Sequence, residues 1–252
     1  MADKKQERAA LAAKMVAEQK ARQRRATILK VAAVIGAMAV IVAVGIVVGI
    51  KGGGGGSDDT ATKLVPAGES KYGMTVGDKN APHQVIMYED FLCPYCQAFE
   101  DAGHEELQKL ADEGKVYLDY RPFHLLSPDY STQAANAFFV VWKESGEDVA
   151  LKFHNLLYQT GNQPSEEDST IQDGSYPAAQ HLIDLAVQAG ADKGDIETKI
   201  ENGEDDSMVT KATQEAYDTG LNGTPTVYLD GKEFTQYTNM SDLAANLIKA
   251  VS

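Results

Sequence analysis

Residues 31–50 read VAAVIGAMAVIVAVGIVVGI, twenty positions without a charge. As a helix this segment rises ~30 Å, the thickness of a bilayer's hydrocarbon core. A helix buried in a water-soluble domain rarely runs so long without a polar stripe. A cleaved signal peptide has an apolar stretch of only ~7–15 residues followed by a small-residue cleavage site. Here IKGGGGGS follows instead. The segment is expected to be an uncleaved transmembrane signal anchor embedded in the lipid bilayer.

Charge sets its direction. Residues 1–30 hold nine Lys or Arg against Asp3, Glu7 and Glu18, a net +6, and the whole chain carries −14, which leaves −20 for residues 31–252. The positive-inside rule places the basic segment 1–30 in the cytoplasm and the long C-terminal part outside the cell membrane, a single-pass arrangement. So acidic an outer part excludes a nucleic-acid partner. Gly52–Gly56 and Ser57 open a flexible linker over 51–66, whose coil spans ~20 Å. Residues 67–252 are enough for one sizeable hydrophobic core.

Within that domain, HQVIMYEDF (83–91) and KVYLDYRPF (115–123) read as strands. A helix is expected between them, from Cys93 to about Asp112. The pattern then turns helical over about 127–220, with segments at 127–145, 147–159, 176–190, 193–201 and 205–220 and Ser131 as a cap. TPTVYLDGKEF (224–234) reads as strand, Asp-Gly turn and strand. A final amphipathic helix over 241–251 is expected to be capped by Ser241. The acidic runs at 165–168 and 204–206 lack the spaced oxygen ligands and turn glycine of a calcium loop.

The chain's two cysteines stand together as Cys93-Pro94-Tyr95-Cys96. A disulfide across four residues closes too short a loop to stabilise a domain of this size. Zinc needs four ligands, and His83, His104, His124, His154 and His181 are scattered without ligand spacing. No metal is expected. A redox role fits each feature. Cys93 stands where a strand gives way to a helix, and free N–H groups at a helix N-terminus favour a thiolate. Pro94 suits the first helical turn, where its missing N–H costs nothing. Cys96, three residues on, lies on the same side and deeper, placed to resolve a mixed disulfide. An extracytoplasmic location keeps disulfides oxidised.

With YEDFLCPYCQAFE (88–100), GKVYLDYRPFHLL (114–126), YSTQAANAFF (130–139) and GTPTVYLDG (223–231) taken together, the chain resembles a DsbA-like thiol–disulfide oxidoreductase of the thioredoxin superfamily, in its membrane-anchored bacterial, actinobacterial-type form. The resemblance implies an α/β thioredoxin-like fold with a mid-chain helical insertion. It implies that Thr224-Pro225 forms a cis-proline loop facing Cys93 and Cys96. It also implies no cofactor beyond the redox-active Cys93–Cys96 disulfide. In that superfamily a buried acid often stands six residues before the first cysteine, to move protons for the second; here that position is Met87. Glu89, two residues on, falls on the same strand face and is the candidate for proton transfer, an ordinary strand-end carboxylate being the plainer expectation.

The function so implied is disulfide formation in reduced exported proteins, with a membrane quinone-linked reoxidase as partner. Tyr95 stands where strong oxidants of the family carry His, which leaves an extracytoplasmic reductase or isomerase as the alternative. A non-catalytic membrane-anchored binding module is a third expectation.

Overall fold

A computed structural model of the chain describes residues 70–126, 129–164 and 178–252. The expected membrane span 31–50, the basic segment 1–30, the linker 51–66 and the acidic run 165–168 lie outside the described residues. Among the described residues no helix is long and apolar enough to cross a membrane.

Strands β2 (His83–Glu89) and β3 (Val116–Pro122) are parallel and joined by helix α1 (Pro94–Asp112). Two further strands, β4 (Thr226–Leu229) and β5 (Lys232–Glu233), turn about Asp230-Gly231, whose φ angles are 50° and 78°. That left-handed pair is what an Asp-Gly hairpin turn requires. The sheet is completed by β1 (Met74–Val76), antiparallel to β3, giving the order β1-β3-β2-β4-β5. β1 was not read from the sequence. Three residues are too few to show a period of two, and the strand exists only through its pairing with β3.

Between β3 and β4 lie α2 (Tyr130–Ser145), α3 (Glu147–Tyr158), α4 (Ala178–Ala189), α5 (Lys193–Glu201) and α6 (Asp206–Asp218); α7 (Met240–Val251) closes the chain. This is the expected insertion. Two caps differ from expectation. α7 is capped by Asn239, whose side chain accepts the Asp242 N–H at 2.9 Å, because Met240 is already helical and Ser241 lies inside the first turn. Ser131 likewise sits inside α2, and its hydroxyl donates to Asp90 instead, at 2.7 Å.

Alternation along β2 divides the core. Val85 and Met87 join the larger apolar cluster with α1, α2, α3, α4 and α7, whereas Ile86 and Tyr88 join Ala216 of α6, Leu221, Phe123 and Tyr228 on the other face. The run Phe138–Val141 is core, as its apolarity suggests. Helix α1 buries Cys96, Phe99, Glu100, Gly103, Leu107 and Leu110, the three-and-four spacing of a helix with one face on a core. Gly103 sits against α7: a Cβ there would lie 2.9 Å from the Ala244 Cβ.

Candidate active site

Pairing of β2 with β3 ends at Glu89 opposite Pro122, and the chain turns through Asp90–Leu92 into α1. One carboxylate holds this turn. Asp90 accepts from the N–H groups of Leu92 (2.8 Å), Leu125 (2.6 Å) and Leu126 (2.8 Å) and from the Ser131 hydroxyl (2.7 Å). A second brace comes from Gln163, whose side-chain amide donates to the carbonyls of Phe91 (2.8 Å) and Cys93 (3.2 Å). Neither residue was singled out from the sequence, since most of their partners lie far along the chain.

Cys93 takes the N-cap position of α1 in extended conformation, with Pro94 in the first turn, as expected. Its Sγ lies 3.3 Å from the Thr224 carbonyl oxygen, to which it donates in its thiol form. The Thr224–Pro225 peptide bond is cis, and Thr226 Oγ1 ties the loop by donating to the Gly223 carbonyl at 2.7 Å. Thr224 and Pro225 also line an open cleft of about 870 Å³ with Asn222, Tyr228 and Tyr237. Both cysteines are free thiols, Cys93 with 3% and Cys96 with 0% of its surface exposed, whereas Tyr95 between them is 64% exposed.

The two thiols are made unequal. The Cys93 thiol is lowered to about 6, first by a hydrogen bond from the Cys96 thiol, then by the Thr224 side chain and the N–H groups of Cys96 and Tyr95; burial opposes the shift. Cys96 is pushed well above the ordinary thiol range by burial, by its hydrogen bond to Cys93 and by the nearby Glu89. Near neutral pH the pair therefore holds one thiolate, at Cys93, and one proton, at Cys96.

Beneath Cys96 lies a buried polar group. Glu89 is not the ordinary strand-end carboxylate that was the plainer expectation: it is buried, and burial pushes its carboxyl up to about 8. A hydrogen bond with Glu100 partly offsets that rise, and the charge of Cys93 adds to it. Glu100, one helical turn after Cys96, is buried as well and raised well above the carboxylate range by the same desolvation. Neither of its oxygens receives an N–H or hydroxyl donor. Glu89 and His154 stand close by, one oxygen or nitrogen of each of the three lying within 4.8 Å of the others, and two neighbouring carboxyls disfavour ionisation of both. His154 Nε2 stands 3.0 Å from Glu89 Oε2. Rings of Tyr120, Tyr158, Phe91 and Phe138 surround the imidazole at 4.6, 5.0, 5.7 and 6.2 Å, and this apolar cage lowers its pKa and keeps it neutral.

Glu100 and His154 were missed in the sequence. Each carries a faint signal: Glu100 falls on the apolar stripe of α1 at four residues from Cys96, and His154 on that of α3 beside Ala150 and Leu157. Among the described residues, Glu89, Glu100 and His154 also form the one set able to bring three metal-ligand atoms within 4.8 Å of one another. All three are buried, and burial favours protonated acids and a neutral imidazole.

A sheet opened by a β-α-β unit, a dithiol at the N-terminus of its helix and a cis-proline loop against the first sulfur define the thioredoxin-fold dithiol class. The chain belongs to the thioredoxin family, whose model matches residues 69–249. Within it the likeness is to DsbA-type proteins. Reduced DsbA from Mycobacterium tuberculosis is 29% identical and superposes with a TM-score of 0.57, over 71% of this chain and 92% of that one. Disulfide bond formation protein D of Bacillus subtilis is 28% identical over 181 residues, 69% of this chain and 75% of its own length. The serine/threonine-protein kinase PknE of Mycobacterium tuberculosis is 24% identical over 184 residues, and this match spans 31% of the kinase's length.

Proposed function

We propose that the protein is a membrane-tethered thiol:disulfide oxidoreductase that forms disulfides in exported proteins through Cys93 and Cys96. The observation that carries this reading is the contact of Cys93, with its lowered pKa, against the Thr224 carbonyl of the cis-proline loop. In the oxidised enzyme a substrate thiolate attacks Cys93 Sγ, forming a mixed disulfide and releasing Cys96 as a thiolate. Glu89 supplies the proton that neutralises it, because a buried thiolate beside a carboxyl is unfavourable. A second substrate thiolate then attacks the substrate sulfur of the mixed disulfide. Cys93 leaves as a thiolate, a good leaving group at a pKa of about 6. The substrate has lost two electrons and the enzyme holds them as a dithiol.

A quinone-linked membrane protein takes these electrons and restores the Cys93–Cys96 disulfide. The apolar segment 31–50 anchors the domain to the bilayer near that partner, with the N-terminus in the cytoplasm. The likeness to disulfide bond formation protein D supports this direction of flow. The test is oxidative refolding of a reduced multi-disulfide substrate; no acceleration over a Cys93→Ser control sinks the reading.

One observation favours the reverse direction, a reductase or isomerase on the same fold. The Cys93 value of about 6 sits nearer thioredoxin, at ~7, than the strong oxidant DsbA, at ~3.5. The reduction potential decides, because ~30 mV corresponds to ~1.4 kcal/mol for this two-electron couple.

A further inference from the structure

The turn that delivers Cys93 to the head of α1 has its N–H groups and its carbonyls held by different residues. Asp90 serves the N–H groups: that of Cys93 donates to the Asp90 carbonyl at 2.8 Å and that of Leu92 to the Asp90 carboxylate at 2.8 Å. One side chain from the helical insertion serves the carbonyls. The Gln163 side-chain nitrogen lies 2.8 Å from the Phe91 oxygen and 3.2 Å from the Cys93 oxygen, so a single amide group uses both of its hydrogens on the turn. The Cys93 oxygen also accepts the first helical bond of α1, from the Gln97 N–H at 3.1 Å. Both of its lone pairs are therefore engaged, one of them only because Gln163 is there.

Gln163 is itself set in place by a stitched turn. After α3 the chain reverses through Gly161, whose φ of 96° suits glycine. The Asn162 N–H donates to the Gln159 carbonyl at 3.0 Å, and the Asn162 side chain donates to the Leu156 carbonyl at 2.8 Å. From α4, His181 Nε2 donates to the Asn162 carbonyl at 3.0 Å. From α1, the Gln97 side chain donates to the Tyr158 carbonyl at 2.9 Å. A glutamine on a loose loop gives up rotamer and backbone freedom to make two such bonds; on this turn the backbone share of that cost is already met. A thiolate at Cys93 has carbonyl oxygens for neighbours: that of Thr224 at 3.3 Å and, by covalent attachment, that of Cys93 itself. Donors on a carbonyl oxygen weaken its repulsion of a nearby anion and bring their own positive ends toward it.

We propose that Gln163 is a positioning residue for the thiol–disulfide reaction: by clamping the Phe91 and Cys93 carbonyls it favours the Cys93 thiolate and makes the reactivity of that sulfur depend on the seat of the helical insertion. Gln163 acts through the backbone of the turn, and it neither gives nor takes a proton. Its effect follows the sign of what it presents to the two oxygens. The native amide presents neutral donors. Methionine has the same reach and no donor. Glutamate has the same shape and sets negative oxygens against both carbonyls and the sulfur. Lysine presents donors that carry a full positive charge.

This role rests on the thiol–disulfide reading, and one experiment separates their failures. The full-length protein is equilibrated with glutathione redox buffers, and the oxidised fraction of the Cys93–Cys96 pair is read after acid quenching. Wild type, Gln163→Met, Gln163→Glu, Gln163→Lys and Cys93→Ser are compared, with melting temperatures taken on the same samples. Gln163→Met is expected to lower the equilibrium constant for oxidising glutathione about threefold, which is ~15 mV for a two-electron couple, and Gln163→Glu about tenfold, or ~30 mV. Gln163→Lys should equal or exceed wild type. A brace that only stabilises the fold lowers melting temperatures and leaves the constant alone. If Gln163→Met keeps the wild-type constant, the positioning role is overturned, whatever its melting temperature, while the thiol–disulfide reading stands. If wild type exchanges with glutathione no more than Cys93→Ser does, the thiol–disulfide reading itself fails. Should Gln163→Met not fold, the two charged variants decide: a constant that rises from Gln163→Glu through wild type supports the role, and one that is the same in Gln163→Glu, wild type and Gln163→Lys overturns it.

Discussion

Cys93 Sγ and the Thr224 carbonyl oxygen lie 3.3 Å apart across 131 positions of sequence. That contact joins the two halves of the site. Removing the Thr224 hydroxyl takes one stabilising contact from the thiolate. Thr224→Val is expected to raise the Cys93 pKa above its value of about 6. Alkylation of the reduced protein by iodoacetamide as a function of pH measures this. In wild type one thiol should react with a midpoint near 6, and Cys96 should stay unreactive through pH 9.

Tyr95 is exposed, so its replacement disturbs little packing. Tyr95→His adds a donor and, when protonated, a positive charge beside the Cys93 sulfur. The Cys93 pKa should fall by about one unit, and stabilising the reduced form by ~1.4 kcal/mol should raise the reduction potential by ~30 mV. A glutathione redox titration checks the sign; an unchanged or lower potential contradicts the electrostatic account.

Glu89 makes stability depend on pH. Its folded carboxyl binds its proton up to about pH 8, from an ordinary value near 4.5. Below the ordinary value both states are protonated and the full contribution is present. Between there and about pH 8 the unfolded chain has released a proton that the folded chain still holds. The contribution therefore falls as pH rises through this window. Glu89→Gln keeps a neutral, hydrogen-bonding side chain and loses that proton. In urea unfolding of the reduced protein, the variant should gain on wild type steadily from about pH 5 to pH 8, with Glu100 leaving part of the slope in place.

Asp90 satisfies four donors from inside the protein. Asp90→Ala strands the buried Leu92 N–H and Ser131 hydroxyl and the partly buried Leu125 and Leu126 N–H groups, an expected loss of ~3 kcal/mol. Denaturant melts should show it, and the freed loop should also loosen the placement of Cys93, seen as faster alkylation of Cys96.

Gly103 marks where α1 and α7 approach each other. Alanine would improve helix propensity by up to ~1 kcal/mol, but even its Cβ meets the Ala244 Cβ at 2.9 Å. Gly103→Leu should cost more than the ~1–3 kcal/mol of an ordinary overpacked core substitution. The lowered melting temperature should come with an unchanged Cys93 pKa, because the clash lies two turns from the thiols.

The strands β2 and β3, helix α1 and the Asp-Gly hairpin were legible because each is local: apolar runs, a Pro in a first turn and a turn dipeptide act within a few residues. The dithiol was legible for the same reason, since its chemistry depends on two thiols at helical spacing beside a helix start. Thr224-Pro225 was placed opposite it by family resemblance, and the contact itself is a tertiary fact. β1 and the caps of α2 and α7 were not legible, because a three-residue strand and the choice among neighbouring Ser, Asp and Asn depend on where other elements end. The acid pair shows the division most plainly. Alternation along β2 told which face Glu89 takes, but whether a carboxyl on that face is wet or dry depends on what covers it. Only the packing of α1 and α3 against the sheet decided that Glu89 meets Glu100 and His154 out of reach of water, and desolvation by that packing is what keeps its proton beside Cys96.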